Sequence, residues 1–340
     1  MGKLMTRRAF VSGAALAAAA LTGAGLPACS ASSNNRGQSG KASYEWTSVR
    51  IGYEGKPEDS VFLAAYEQGF FQKYGISAQL EKIDGSLEDF LSRGTESVFL
   101  GDVCLLPQFY QDQSDLDVRF LSAVHSGGIT GVCADGAGIA SVRDLTGRTV
   151  GVLDFSQDPA EAFLKAALVD EGMDFSTVSW QRQASAEKAL AAVVEGTLDA
   201  FVAADPWGPQ GIADQGMVAF YRSTEDASLE GVASCFLVGN AAVYQDDELS
   251  GRVAKAVDEA AEWVQQNLAA AASSLRVGGY CTLDAALIQS VLATYTFGDQ
   301  GSAAFERSLE AQWQLLQKAG LFTKGKTLPE LFNASGYYAL

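Results

Sequence analysis

The sequence predicts an α/β protein of two lobes with a ligand cleft between them. Strands alternate with helices along most of the chain, the signature of βαβ units and a mainly parallel sheet. A length of 340 residues exceeds one ordinary domain and suits two lobes of ~100–200 residues each. The stretch from Ile129 to Phe155 leaves one α/β unit along an apolar strand and at once begins another. It runs through a glycine-broken loop, a short helix started by Ser141, a stop at Gly147 and a second strand ending at Leu153. A chain that crosses between lobes in this way leaves a cleft, and clefts are where small ligands bind.

The first 28 residues stand apart from the fold. Thr6 to Ser12 resembles a twin-arginine export motif, and the Ala/Gly-rich run that follows to Leu26 is shorter than the ~20 residues a spanning helix needs. Leu26-Pro27-Ala28-Cys29 resembles a lipobox, which would make Cys29 a lipidated first residue. Residues 29–47 then read as a flexible Ser/Gly/Asn tether. The part from Cys29 onward loses three of the 24 basic residues and none of the 41 acidic ones, for a formal charge of about −20. Such a body repels polyanions, so nucleic acid is excluded as a partner.

The rest of the chain divides into a first part of one lobe at 48–128, a second lobe at 129–239, and a helical return to the first lobe at 240–340. Val49 to Tyr53 is a strand, Ser60 caps a helix, Gly75 turns into the strand from Ile76, and two more strands run over Ser97–Gly101 and Val118–Val124. In the second lobe Asp158 is an N-cap with Pro159 at the first helical position, and Gly172 stops that helix. A strand near Val178, a helix over Ala186–Glu195 and a strand over Thr197–Val202 follow. Val232 to Val238 returns as the second crossing strand. Helical spacing then covers Asp246–Leu275, Thr282–Tyr295 and Ser302–Ala319, and Thr327 to Glu330 reads as a capping box opening a last turn.

Three runs carry a family resemblance. Asp144-Leu145-Thr146-Gly147-Arg148-Thr149-Val150-Gly151-Val152, Gly69-Phe70-Phe71-Gln72-Lys73-Tyr74-Gly75-Ile76, and Gly196 to Ala200 followed by Asp205-Pro206-Trp207 occur in the expected order. Together they resemble the solute-binding proteins of ABC importers, in the nitrate/sulfonate/taurine-type group that includes thiamine-pyrimidine-precursor binders. The resemblance implies a periplasmic-binding-protein-like fold with two crossing strands, a small-molecule ligand, permease transmembrane subunits as partners and a monomer held at the outer face of the cell membrane. It leaves two alternatives: a pyrimidine-precursor biosynthesis protein, or a ligand-sensing receptor domain.

In open α/β sheets ligands sit beyond the carboxyl ends of strands. That rule, with the resemblance, makes Glu54, Gly55, Gly101, Asp102, His125, Phe155, Ser156, Gln157, Asp205 and Trp207 the candidate ligand contacts, Trp207 and Phe155 as stacking planes. Gly127, Gly128 and Gly239 are candidate hinges. His125 is the sole histidine, and neither a nucleophile elbow, a dinucleotide fingerprint nor a P-loop is present, so no enzyme activity and no cofactor are expected. Cys104, Cys133, Cys235 and Cys281 match no metal-site spacing; a Cys133–Cys235 bridge and free buried thiols both remain open. The acidic residues at the candidate tips favour a neutral, zwitterionic or amine-bearing ligand.

Overall fold

The computed structural model describes residues 44–84, 87–102, 118–154, 158–297 and 302–321. Two sheets organise them. The first has the strand order β11-β4-β10-β3-β1-β2, with β1 Thr47–Tyr53, β2 Ile76–Lys82, β3 Ser97–Asp102, β4 Val118–Ser126, β10 Cys235–Asn240 and β11 Thr296–Phe297. The second has the order β7-β6-β8-β5-β9, with β5 Ile129–Cys133, β6 Thr149–Leu153, β7 Ser179–Gln183, β8 Ala200–Ala204 and β9 Val218–Arg222. Each sheet has a parallel heart, β2-β1-β3 in one and β7-β6-β8 in the other. The strands that enter from the other sheet run antiparallel to these: β10 against β3 and β4, and β5 against β8 and β9. The sheets are therefore mixed rather than mainly parallel, because a strand arriving by a crossing runs opposite to those fed by helical crossovers.

The chain passes between sheets twice. The outward passage is Gly127-Gly128, with φ of 95° and 98°, a region in which glycine alone is unstrained. The return lies between β9 and β10, so β10, including Gly239, belongs to the first sheet. There Gly239 pairs with Val98 and Arg119, and a Cβ would meet Leu121 Cδ1 at 2.8 Å. The two passages are tied together: the Ser234 N–H donates to the His125 carbonyl at 2.9 Å, and the Ser234 hydroxyl donates to the Gly127 carbonyl.

Helices follow their capping signals with local differences. Helix α1 (Ser60–Glu67) has Asp59, not the expected Ser60, at its N-cap position, with no side-chain cap bond, and ends before Gly69, whose φ of 79° starts the short α2 (Phe70–Lys73). A short α3 covers Leu87–Leu91. Helix α4 (Pro159–Asp170) has Asp158 accepting the Ala160 N–H at 2.9 Å, as its sequence dictates. Ser185 caps α5 (Ala186–Val194), and α6 (Trp207–Gln215) starts directly after Asp205-Pro206. After α7 (Ala241–Tyr244), the expected long helix is broken at Asn267 into α8 (Asp247–Gln266) and α9 (Leu268–Val277). Asn267 leaves the helical region at φ −134° and its amide donates to the Trp263 carbonyl at 2.8 Å.

Packing fixes where these helices lie. Helices α8 and α9, together with α10 (Ala285–Leu292), bury Val253, Val257, Leu275 and Ile288 in a core with Phe62 of α1 and Ile51 of β1. The last helix, α11 (Ser302–Lys318), behaves differently: Phe305, Leu309 and Trp313 join a cluster with Phe163 and Leu164 of α4 as well as Phe120 and Phe236 of the first sheet. It also holds both backbone groups of Ala233 in the return passage, the Ser308 hydroxyl accepting its N–H and the Gln312 amide donating to its carbonyl, each at 2.9 Å. No helix among the described residues is long and apolar enough to cross a membrane. The expected last turn at Thr327–Glu330 and the export and tether segments lie outside the described residues.

Candidate functional site

A cavity of about 180 Å³ lies where strand ends of both sheets meet. The first sheet contributes Glu54, Lys56 and Glu58 after β1, Gly101 and Asp102 at the end of β3, His125 near the end of β4, Cys235 at the start of β10, and Tyr295. The second contributes Ile129, Ala204 and Asp205, with Pro159 and Phe163 from α4. Gly127, Gly128 and Ser234 of the two passages line the same space. The volume is below the ~300–1,000 Å³ of drug-sized ligand pockets, so the shape suits a small occupant.

The turn after β1 is built around one carboxylate. Asp59 Oδ2 accepts the backbone N–H groups of Glu54, Gly55 and Lys56 at 3.1, 2.8 and 2.7 Å. Burial pushes the Asp59 carboxyl up to about 7, with the Glu58 charge adding to this and the backbone donors working against it. The fixed turn presents Glu54, Lys56 and Glu58 to the cavity. Lys56 Nζ sits 2.5 Å from Glu54 and 3.9 Å from Glu58. Burial works against the ammonium charge, but these carboxylates more than offset it and hold Lys56 above the ordinary lysine range.

His125 is buried, and its ring lies on Tyr295 with centroids 4.2 Å apart and planes 3° from parallel. Its Nδ1 stands 3.2 Å from the Ser126 carbonyl oxygen, which places a proton on Nδ1. Nε2 faces Glu58 Oε2 at 3.5 Å and is a buried atom with no hydrogen-bond partner. Burial raises the Glu58 carboxyl, but His125 and Lys56 outweigh it and leave Glu58 below its usual range.

Across the cavity, Asp205 is buried and accepts the Thr130 hydroxyl at 3.1 Å. Burial pushes it up to about 6, opposed by Thr130 and assisted by the Glu58 charge. Tyr295 is held well above the ordinary tyrosine range by burial and by Asp205. Asp158, at the N-terminus of α4, is likewise pushed up to about 6 by burial, against the N–H groups of Ala160 and Leu153.

The structure brings Glu54, Gly101, Asp102, His125, Asp205, Gly127 and Gly128 to one cavity. Gly55 is not on its wall; its φ of 89° serves the Asp59 turn. Trp207 is not on the wall either. Helix α6 begins at Trp207, and the indole packs against the cluster of Val132, Leu190, Phe201 and Met217. Gly239 lies within β10, away from both passages. Phe155, Ser156 and Gln157, and Cys29 and Cys104, lie outside the described residues. Cys133 and Cys235 are free and buried, as is Cys281, so the bridge between the first two does not form. Cys133 sits at the far end of β5 from the passage, paired with Ala200 and Val218, whereas Cys235 opens β10 beside the cavity.

Glu58, Cys235 and Tyr295 were absent from the sequence-level set of ligand contacts. One ligand atom each from Glu58, His125 and Cys235 lies within 4.8 Å of the others, a convergence that no local spacing encodes. Only the pairing of an acid-rich turn after β1 with the strand of the sole histidine offered a hint.

Residues 56–271 match the family described as NMT1/THI5 like, well over half of the chain. No curated protein matches the chain in sequence. Among solved structures, the chain resembles the alkanesulfonate-binding protein SsuA from Xanthomonas axonopodis pv. citri bound to MOPS, at 16% identity and a TM-score of 0.66, over 85% of this chain and 99% of that one. It is also similar to the periplasmic aliphatic sulphonate binding protein SsuA from Escherichia coli, at 18% identity and a TM-score of 0.66, over 84% of this chain and 91% of that one. The desulfurization enzyme DSZB is a further structural relative, at 17% identity and a TM-score of 0.58, over 84% and 98% of the respective chains. At these identities the likeness speaks for the fold. The family match identifies the chain as a member of the NMT1/THI5-like family, with the fold seen in these sulfonate-binding structures.

Proposed function

We propose that the protein is an extracytoplasmic solute receptor, anchored through Cys29, that takes a small amine-bearing molecule between its two sheets and passes it to an ABC permease. The observation that carries the ligand class is the charge of the cavity wall. Glu54, Glu58, Asp102 and Asp205 line it, and Lys56 is the one Lys or Arg among its described lining residues. Lys56 is itself held by Glu54. A sulfonate or nitrate entering this space would meet carboxylates within a body of about −20. An amine or a protonated nitrogen heterocycle would meet acceptors from both sheets, with Glu58 on one side and Asp205 on the other. Contacts to both sheets are what make a bound solute favour the closed arrangement of the lobes.

A second reading, an enzyme with Cys235 as nucleophile beside His125, is favoured by their adjacency across β10 and β4. It is the weaker one. Burial and the nearby charges of Glu58 and Asp102 push the Cys235 thiol well above its ordinary range, whereas a nucleophilic cysteine needs a lowered one.

The test is a thermal-shift series with an aminopyrimidine, taurine, an alkylsulfonate and nitrate, since a ligand that binds only the folded form raises the melting temperature. The expected result is stabilisation by the amine-bearing solutes. Tight binding of nitrate or the alkylsulfonate, with no response to the amines, would overturn the ligand class. Consumption of a stabilising solute with release of product would overturn the receptor reading in favour of the enzyme.

A further inference from the structure

We propose that Glu58, His125 and Cys235 form a binding site for a borderline divalent transition metal, with zinc as the reference ion, on the first-sheet floor of the cavity. The site shares the cavity with the solute-binding reading but needs none of its lobe movement, because all three donors belong to the first sheet and its β1 turn. Cys235 is in register with His125 on β4, so the two side chains leave the same face of the sheet. Glu58 reaches over them from the turn held by Asp59.

The donor set fits the ion. A thiolate, an imidazole and a carboxylate are the three side-chain types that zinc accepts, and three protein donors with one open position is the arrangement of accessible rather than purely structural sites. With metal–ligand bonds of ~2.0–2.3 Å, tetrahedral donors stand roughly 3.3–3.8 Å apart. The present donors lie within 4.8 Å of one another, and His125 Nε2 and Glu58 Oε2 already stand 3.5 Å apart. The open position faces the cavity, where water or a donor atom of a bound solute completes the shell.

His125 is already set as a ligand. Its Nδ1 proton points at the Ser126 carbonyl, the backbone contact that orients metal-bound histidines and leaves the Nε2 lone pair facing the metal. That Nε2 is 99% buried with no hydrogen-bond partner, and it faces the Glu58 carboxylate at 3.5 Å. Two lone-pair donors turned toward each other in this space are stabilised by a positive centre between them, a proton or a metal ion. On binding, the Cys235 thiol proton leaves to solvent as the sulfur–metal bond forms. Thiolate and carboxylate then offset the charge of the dication, and Asp102, in register with Cys235 on its other side, adds to the attraction.

The experiment is a titration of the chelator-treated full chain with Co²⁺, followed by Zn²⁺. The expected result is a thiolate-to-cobalt charge-transfer band in the near ultraviolet together with visible bands of tetrahedral intensity, both abolished as Zn²⁺ displaces Co²⁺. Cys235→Ser should lose the charge-transfer band, His125→Gln and Glu58→Gln should each weaken Co²⁺ binding at least tenfold, and Cys133→Ser should behave as the parent. Circular dichroism melts establish that each variant is folded. Should Cys235→Ser fail to fold, Glu58→Gln decides, since Glu58 is only partly buried. No charge-transfer band in the parent, a band retained in Cys235→Ser, or unweakened binding in Glu58→Gln would overturn the proposal. Thermal shifts by amine solutes in the presence of chelator report solute capture alone, so failure of the metal site and failure of the receptor reading give different results.

Discussion

Thr130, inside β5, donates its hydroxyl to the carboxylate of Asp205 at the end of β8, at 3.1 Å and with both side chains buried. This bond holds an acid toward the cavity at a cost in solvation. With its folded pKa pushed up to about 6 from an unfolded value near 3.8, Asp205 favours the folded state most fully below about pH 4, and that contribution is lost as pH rises through about 6. At pH 7 the penalty is about 3 kcal/mol. Asp205→Asn, which keeps an acceptor for Thr130, should therefore raise unfolding stability at pH 7 by ~1–3 kcal/mol, with the gain fading toward pH 4. Urea denaturation across that range checks it. The same variant should weaken binding of an amine solute at least tenfold.

Asp59 gathers three backbone N–H groups. Asp59→Ala leaves these donors without their acceptor and should cost about 2–4 kcal/mol in unfolding free energy. Amide hydrogen exchange should quicken at Glu54, Gly55 and Lys56 more than in β1. Equal protection in parent and variant would show that another group holds the turn.

The strand tips were legible in the sequence because a strand ending in a short turn can be read locally: Glu54, Gly101, Asp102, His125 and Asp205 follow from this. Trp207 was not, since the same local rule cannot tell a residue that ends a loop from one that opens a helix; α6 starts there and takes the indole into another cluster. Glu58, Cys235 and Tyr295 are far apart in sequence, and the Asp59 turn, the register of β10 on β4 and the pairing of β11 with β4 bring them together. The break at Asn267 was hidden for a different reason. The hydrophobic spacing continues straight through it, and only the backbone turns.

Trp207→Phe should leave solute affinity within twofold of the parent, as isothermal titration would show. Ligand-dependent fluorescence should persist in this variant if it arises from other tryptophans. A tenfold loss of affinity would place the indole at the site after all.

Gly127 and Gly128 separate two kinds of backbone cost. A Cβ at Gly128 meets nothing within 4 Å, so Gly128→Ala carries the positive-φ strain alone, of order 1–3 kcal/mol. At Gly127 the added carbon would also meet Thr224 Cγ2 at 2.7 Å, so Gly127→Ala should be the more destabilising of the two. Thermal melts of both variants check the order.

The proposed lipid anchor is argued from the Leu26–Cys29 run alone. Cys29→Ala should move the processed protein from the membrane fraction to the soluble one. Retention at the membrane after removal of the export segment would disprove the anchor.

Helix α11 grips the N–H and the carbonyl of Ala233 in the return passage, while the outward passage is a pair of glycines. In the proposed receptor, a swing of one sheet relative to the other would meet a held passage, a glycine passage and the packing of α11 on both α4 and the first sheet. The φ and ψ angles of Gly127 and Gly128 would take up part of such a rotation, since no side chain restrains them there. If the proposed receptor closes in this way, its solute affinity is adjustable from a distance: loosening the grip at Ser308 or Gln312, which do not line the cavity, would alter how often the mouth is shut.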